Sequence, residues 1–315
     1  MSDDTSLQIP FPHRRSPYGR YATALHRDWL VRHPLLPDAD HPGYAHWAIV
    51  ELAALGYPDA GPDELSLAAD LMGFYFLFDD QFDGPLGRRP TEVAPICERL
   101  IDVLHGAPPR RQSPVESAFA DLWNRSARGM SARWQARAAY NWEWYLASHP
   151  AEAAGRISTR PPDRAGYLVL RRGTAAMETV FDMIERLGQF EVPAAVLHHP
   201  VLRQLRQLAA DIPSLSNDVR SFPLEATRGD VNNLVMIVQR ERRCSAEEAC
   251  AVVLDEAQLM VGRCEELHGQ LPDVYQELGL SRVERTIAQR YADGLLTWLA
   301  GYLSWESSTG RYHAV

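Results

Sequence analysis

Two groups of oxygen-bearing side chains stand out by type and spacing. One is Asp79, Asp80 and Asp83 in the run Asp79-Asp80-Gln81-Phe82-Asp83; the other is Asn217, Ser221 and Glu225 in Asn217-Asp218-Val219-Arg220-Ser221-Phe222-Pro223-Leu224-Glu225. Carboxylates, an amide carbonyl and a hydroxyl are hard donors of the kind Mg²⁺ takes, an ion that keeps water and phosphate in its octahedron and needs few protein ligands. The second group recurs at i, i+4 and i+8, and each step drifts only about 40° around a helix, so its oxygens line one stripe. The first group closes the most aromatic stretch of the chain, Phe74-Tyr75-Phe76-Leu77-Phe78, and Gly84-Pro85 ends the helix directly afterwards. Residues three and four apart share a face, which puts Phe76 one turn below Asp79, Asp80 and Asp83. An aromatic floor under a carboxylate rim suits a ligand with a charged head and an apolar tail. Carboxylates at a helix C-terminus also oppose the macrodipole, and a divalent cation relieves that conflict. Either cluster alone could be a solvated helix face. Their pairing, and the apolar flanks of the second at 205–212 and 231–238, favour an occupied site.

The elements that must carry these groups are helices. Ser113-Pro114-Val115-Glu116 and Ser245-Ala246-Glu247-Glu248 read as N-caps followed by a carboxylate three residues on, and long amphipathic runs follow each. The periodicity predicts helices near 18–33, 43–56, 63–82, 91–105, 114–128, 131–158, 163–190, 194–224, 228–241, 246–269 and 281–307, with almost no strand pattern. This is an all-α chain. At 315 residues and 46% hydrophobic composition it reads as one domain, 1–315. Residues 1–17 form an N-terminal arm expected to dock over the site, and 308–315 a C-terminal segment.

Composition narrows the partners. A formal charge of −9 without a basic tract argues against nucleic acid. All 32 basic residues are Arg, so phosphate recognition must use the guanidinium fork and lysine chemistry is excluded. Four cysteines without a CxxC pair, an N-terminus unlike a signal peptide, and apolar runs too short to span a bilayer predict a soluble cytoplasmic protein with reduced thiols.

The order and spacing of these motifs resemble those of the bacterial class I terpene synthases, and the resemblance covers nearly the whole chain. It includes the Ile9-Pro10-Phe11-Pro12 arm, the Leu170-Arg171-Arg172-Gly173-Thr174 stretch and the terminal Trp305 with Arg311-Tyr312. The resemblance implies a helical bundle around an apolar cavity and a trinuclear Mg²⁺ site. Asp79 and Asp83 are implied on one side of it, and Asn217, Ser221 and Glu225 on the other. It implies that Asp80 pairs with an arginine and that Arg171, 46 positions before the motif's Asn, senses the diphosphate. Thr174 becomes the linker, Ala175 the helix-break effector, and Arg311 with Tyr312 the pair that hydrogen-bonds diphosphate. The implied activity is ionisation of a prenyl diphosphate and cyclisation of the cation between aromatic walls, for which Phe76 and Trp305 are the candidates. Farnesyl diphosphate is favoured over geranyl and geranylgeranyl diphosphate, and a homodimer is left open.

The chain also departs from the family pattern. Leu224 stands where a basic residue usually precedes the motif's Glu; Arg220 and Arg228, four positions either side, share its face and are the candidate replacements. Pro213 and Pro223 bracket the stripe and are expected to bend its helix while still delivering Glu225. Rival readings fare worse. A chain-elongating prenyl synthase should show a second aspartate-rich motif, a class II cyclase a DxDD acid, and neither is present; nor is HExxH, GxSxG, a P-loop or GxGxxG. A non-catalytic helical binding module fits the composition and leaves both acidic groups unexplained.

Overall fold

The computed structural model describes residues 7–38, 40–158, 162–228 and 230–312, and among them every regular element is helical. The chain runs α1 (Gly19–Arg32), α2 (Pro42–Ala45), α3 (Ile49–Gly56), α4 (Pro62–Asp79), α5 (Pro90–Leu104), α6 (Pro114–Ala127), α7 (Ala132–Ile157) and α8 (Arg164–Thr174). It continues through α9 (Met177–Gly188), α10 (Ala194–Leu197), α11 (Pro200–Arg228), α12 (Leu234–Arg242), α13 (Ala246–Glu277) and α14 (Arg282–Ser308).

Local chemistry accounts for many boundaries. Ser113, Ser131, Asp163, Asn233, Ser245 and Ser281 cap their helices through side-chain acceptors, and Ser245 and Ser281 complete capping boxes with Glu248 and Glu284. α4 starts with Pro62 at its first turn and Asp63 and Glu64 behind it. Nearly all of α4 from Leu65 onward is buried, so it has no polar face and serves as the central post of the bundle. Around it the main core gathers side chains from α1, α3, α5, α6, α7, α9, α11, the second half of α13 and α14, while a smaller core joins α8, α11, α12 and the first half of α13.

Four differences from the sequence reading bear on the site. The predicted helix 163–190 is two helices, broken at Ala175 and Ala176, with Ala176 left-handed at φ 57°. The predicted helix 63–82 tightens into a 3₁₀ turn at Asp80–Phe82. α11 runs unbroken through Pro213 and Pro223, although each proline removes one helical donor. The helix predicted from 228 begins at Leu234, after an extended Asn233.

The N-terminal arm also differs. Gln8 exchanges hydrogen bonds with Gln258 on α13, Arg14 pairs with Asp59, Arg15 with Glu51, and the Ser16 amide donates to the Ala54 carbonyl. Asp59 lies in the turn before α4, the opposite end of that helix from Asp79. None of the described arm residues lines the acidic cavity, and residues 1–6 lie outside the description.

Candidate active site

A cavity of about 700 Å³ opens where α4 and α11 end. Its mouth gathers Asp79, Asp80, Asp83, Glu152, Asp218, Glu225 and Asp230 with Arg88, Arg156, Arg171, Arg228 and Arg311, and its depth is lined by Leu52, Met72, Tyr75, Phe76, Tyr145, Met177, Val180 and Trp298. The structure thus brings both oxygen clusters to one charged rim above an apolar well.

Asp79, Asp80 and Asp83 each meet a histidine or arginine supplied from elsewhere. Asp80 receives two contacts from the Arg311 guanidinium, 2.5 and 3.2 Å, and Asp83 receives Arg228 at 2.9 Å. Asp79 lies 3.6 Å from Nε2 of His149, whose Nδ1 is satisfied by the Tyr145 carbonyl. Burial opposes the charge on Asp79, but His149, Arg311 and Arg156 outweigh it and hold the carboxyl below its ordinary value. For Asp83 the balance is opposite: burial and the neighbouring Asp79 and Asp80 raise it, and Arg228 only partly compensates.

The stripe on α11 is built differently. Asn217, Ser221 and Glu225 all line the cavity, with the Ser221 hydroxyl donating to the Asn217 main-chain carbonyl at 2.8 Å. Arg171 donates to the Asn217 side-chain oxygen at 2.7 Å and lies 3.2 Å from Asp218, which also accepts from the Tyr167 hydroxyl and the Leu234 amide. Burial works against a charged Arg171, but Asp218, Tyr167 and Glu225 more than offset it and keep the guanidinium protonated. Asn233 donates to Glu225 at 2.9 Å, yet burial and the nearby Asp218 push the Glu225 carboxyl up to about 7.

The helix break completes the wall. Thr174, Ala175 and Ala176 line the cavity, and Gly173 lets α8 close on α7, since a Cβ there would meet the Ser148 hydroxyl at 1.9 Å. The left-handed Ala176 is held by a chain of bonds in which the Tyr75 hydroxyl donates to Thr179 and Thr179 donates to the Ala176 carbonyl, each at 2.7 Å.

Several expected residues sit otherwise than read. Trp305 is fully buried behind Phe76, with ring centroids 5.5 Å apart, and is absent from the lining; the aromatic wall is Phe76 with Tyr75, Phe82, Tyr145, Trp298 and Tyr302, while Trp47 lies under the Arg311 guanidinium. Arg220 is exposed and does not line the cavity, whereas Arg228 does. The Tyr312 side chain lies outside the described residues. Sequence reasoning missed Glu152, Arg156, His149, Trp47 and Asp230. Arg156 binds Glu152 at 3.2 Å, Asp230 at 3.1 Å and the Phe82 carbonyl at 3.3 Å, pinning the 3₁₀ turn beside the rim. Only its i,i+4 spacing from Glu152 could have signalled the pair, and that spacing is common on solvated helices.

The donor chemistry fits divalent cations. Seven carboxylates face five arginines at the mouth, and the stripe offers only oxygen. Among the described residues no three His, Cys, Asp or Glu side chains converge into a cage.

A family model, terpene synthase family 2, C-terminal metal binding, matches residues 70–261. The chain belongs to that family. It is 36% identical over 317 residues to the pentalenene synthase of Streptomyces avermitilis, spanning 100% of this chain and 94% of that one. It superposes on the crystal structure of germacradien-4-ol synthase from Streptomyces citricolor with a TM-score of 0.90 and 60% identity, covering 98% and 99% of the two chains. A linalool/nerolidol synthase from Streptomyces clavuligerus, in complex with 2-fluorogeranyl diphosphate, gives a TM-score of 0.86 and 31% identity over 97% and 99%. The chain is therefore a terpene synthase with the all-α fold of its relatives, and its matched span contains both acidic motifs. No helix among the described residues is long and apolar enough to cross a membrane.

Proposed function

We propose that this terpene synthase ionises farnesyl diphosphate with the aid of three Mg²⁺ ions and cyclises the resulting cation. One observation carries the reading: a rim of carboxylates and arginines sits directly over an aromatic, otherwise apolar well. Asp79 and Asp83 on one side, and Asn217, Ser221 and Glu225 on the other, are the residues suited to the ions. Bound there, the ions would neutralise the diphosphate and stabilise it as a leaving group.

The chain's own residues do the rest. Arg171, set by Asp218 and Asn217, and Arg311, set by Asp80, present planar guanidinium groups to the diphosphate oxygens. The allylic C–O bond breaks heterolytically and its electron pair leaves on the diphosphate oxygen, so no protein nucleophile is needed. Phe76, Tyr75 and Trp298 offer π faces to the cation and exclude water from the well. Two relatives, from Saccharothrix espanaensis and Streptomyces viridochromogenes, are named as cyclising (2E,6E)-farnesyl diphosphate, which supports the fifteen-carbon chain.

The test is incubation with geranyl, farnesyl and geranylgeranyl diphosphate, with and without MgCl₂, reading volatiles by gas chromatography with mass spectrometry alongside diphosphate release. A cyclic fifteen-carbon product formed only with the metal is expected. Faster turnover of the ten- or twenty-carbon substrate would move the assignment to that chain length, and no product from any of them would overturn it.

A further inference from the structure

Arg311 lies just beyond α14, and its mooring is a turn that no acidic motif marks. The turn is 46–48, between α2 and α3, and it closes on a left-handed Ala48 at φ 53°. The Trp47 carbonyl accepts from the Trp305 indole at 2.8 Å and the Thr309 hydroxyl at 2.9 Å, and the His46 carbonyl accepts from the Gly310 amide at 2.9 Å. The backbone is thus fixed just before Arg311. The guanidinium carbon then lies over two aromatic rings, 4.4 Å from the Trp47 centroid and 4.6 Å from that of Phe76, with its N–H groups on Asp80.

The turn is braced from behind. Tyr44 packs on Trp47 with centroids 5.2 Å apart; its hydroxyl meets Nε2 of His26 at 2.8 Å, and Nδ1 of His26 meets Asp70 at 2.8 Å. Arg125 in turn donates to Asp70 at 2.7 Å. Gly73 on α4 makes room for this chain, since a Cβ there would come within 2.6 Å of His26 and 2.7 Å of the Tyr44 hydroxyl.

We propose that Trp47 is a positioning residue for diphosphate capture: its ring holds the Arg311 guanidinium at the rim, so the arginine meets the leaving group already oriented. Phe76 brings one ring to the guanidinium from α4 and Trp47 brings the other from the 46–48 turn. A long, rotamer-rich side chain loses less freedom on binding when two π surfaces have already fixed its plane. The inference rests on the prenyl diphosphate reading above.

Trp47→Leu removes the ring and keeps the carbonyl that moors Trp305 and Thr309. The expected result is a rise of about tenfold in KM for farnesyl diphosphate and a similar loss of calorimetric affinity for inorganic diphosphate with MgCl₂, most of both being recovered by Trp47→Phe. In an Arg311→Gln background Trp47→Leu should cost less than about twofold more, because the group it positions is gone. A fully additive loss would make Trp47 a wall of the hydrocarbon well and overturn the proposal, as would unchanged diphosphate affinity in Trp47→Leu. If Trp47→Leu does not fold, Trp47→Met, which fills space without a π face, carries the same arms. A wild-type protein that binds inorganic diphosphate and converts no prenyl diphosphate would undo the functional reading alone, because the calorimetric comparison needs no turnover.

Discussion

The rim and the stripe resemble each other as strings of oxygen donors and differ as structures. Asp79, Asp80 and Asp83 straddle the end of α4 and a 3₁₀ turn, and each faces a nitrogen-bearing side chain brought from far along the chain: His149, Arg311 and Arg228. Asn217, Ser221 and Glu225 belong to one helix, and Glu225 accepts from a neutral group, the Asn233 amide. The rim carboxylates each have a direct arginine or histidine neighbour, whereas on the stripe burial and Asp218 raise Glu225 and Arg171 answers it only in part. The stripe therefore has the greater need of a bound cation, and the rim the greater dependence on arginines that can change partners.

That contrast gives the largest expected effect. Asn217→Leu should lower kcat/KM for farnesyl diphosphate at least about a thousandfold, roughly 4 kcal/mol of transition-state stabilisation, because a fixed donor is lost. Asp83→Asn should cost only about tenfold, since its carboxyl is already shared with Arg228. Equal losses in steady-state kinetics of the two variants would erase the distinction.

Acidity separates Glu225 on the stripe from Asp79 on the rim by sign. Glu225, pushed up to about 7 by burial, binds a proton more tightly in the folded than in the unfolded chain. Its contribution is present below the ordinary carboxylate range and is lost as pH rises through 7. Glu306, also near 7, and Glu185, near 6, act in the same direction. Without metal, Tm should therefore fall by a few degrees, a rough figure, between pH 5 and 8. Glu225→Gln should flatten part of that slope, and MgCl₂ should flatten it too by favouring the ionised carboxylate. Asp79 is held low, so its contribution is lost only in acid as pH falls through its depressed value, and Asp79→Asn should leave the slope between pH 5 and 8 unchanged. Melting curves across that range decide it; a slope unaltered in Glu225→Gln would refute the assignment.

The stripe was legible in the sequence for the same reason that it differs from the rim: i, i+4, i+8 spacing is a local property of a helix, and α11 keeps it even through two prolines. Rim pairings were not legible, because Asp80 and Arg311 are 231 residues apart and nothing local selects that arginine. The break between α8 and α9 was invisible for a related reason. Its left-handed residue is Ala176 rather than Gly or Asn, and what holds it there is Tyr75 acting through Thr179, a contact across 104 residues. The placing of Trp305 failed on direction alone: Phe76 and Trp305 do touch, but only Phe76 faces the well. Of the arm, residues 7–17 are described, and none of them lines the cavity. Its arginines are answered by Glu51 on α3 and by Asp59 in the turn before α4.

The smallest expected effect concerns Leu224, where the rim and the stripe come nearest to sharing work. Leu224 lines the mouth with 44% of its surface exposed, one position before Glu225. Arg228, one turn on, already lines the same mouth and pairs with Asp83; Arg220, one turn back, faces away. Arg228→Ala should raise KM about fivefold with little change in kcat, the pattern of lost ground-state binding, and Arg220→Ala should stay within about twofold of wild type. Leu224→Arg restores a basic side chain, but at a mouth that already holds five arginines and remains open to solvent, where one more charge is screened. It should lower KM only about twofold. A larger gain would mean that Arg228 does not stand in for the missing contact, and a KM more sensitive to Arg220 than to Arg228 would reverse the choice between them.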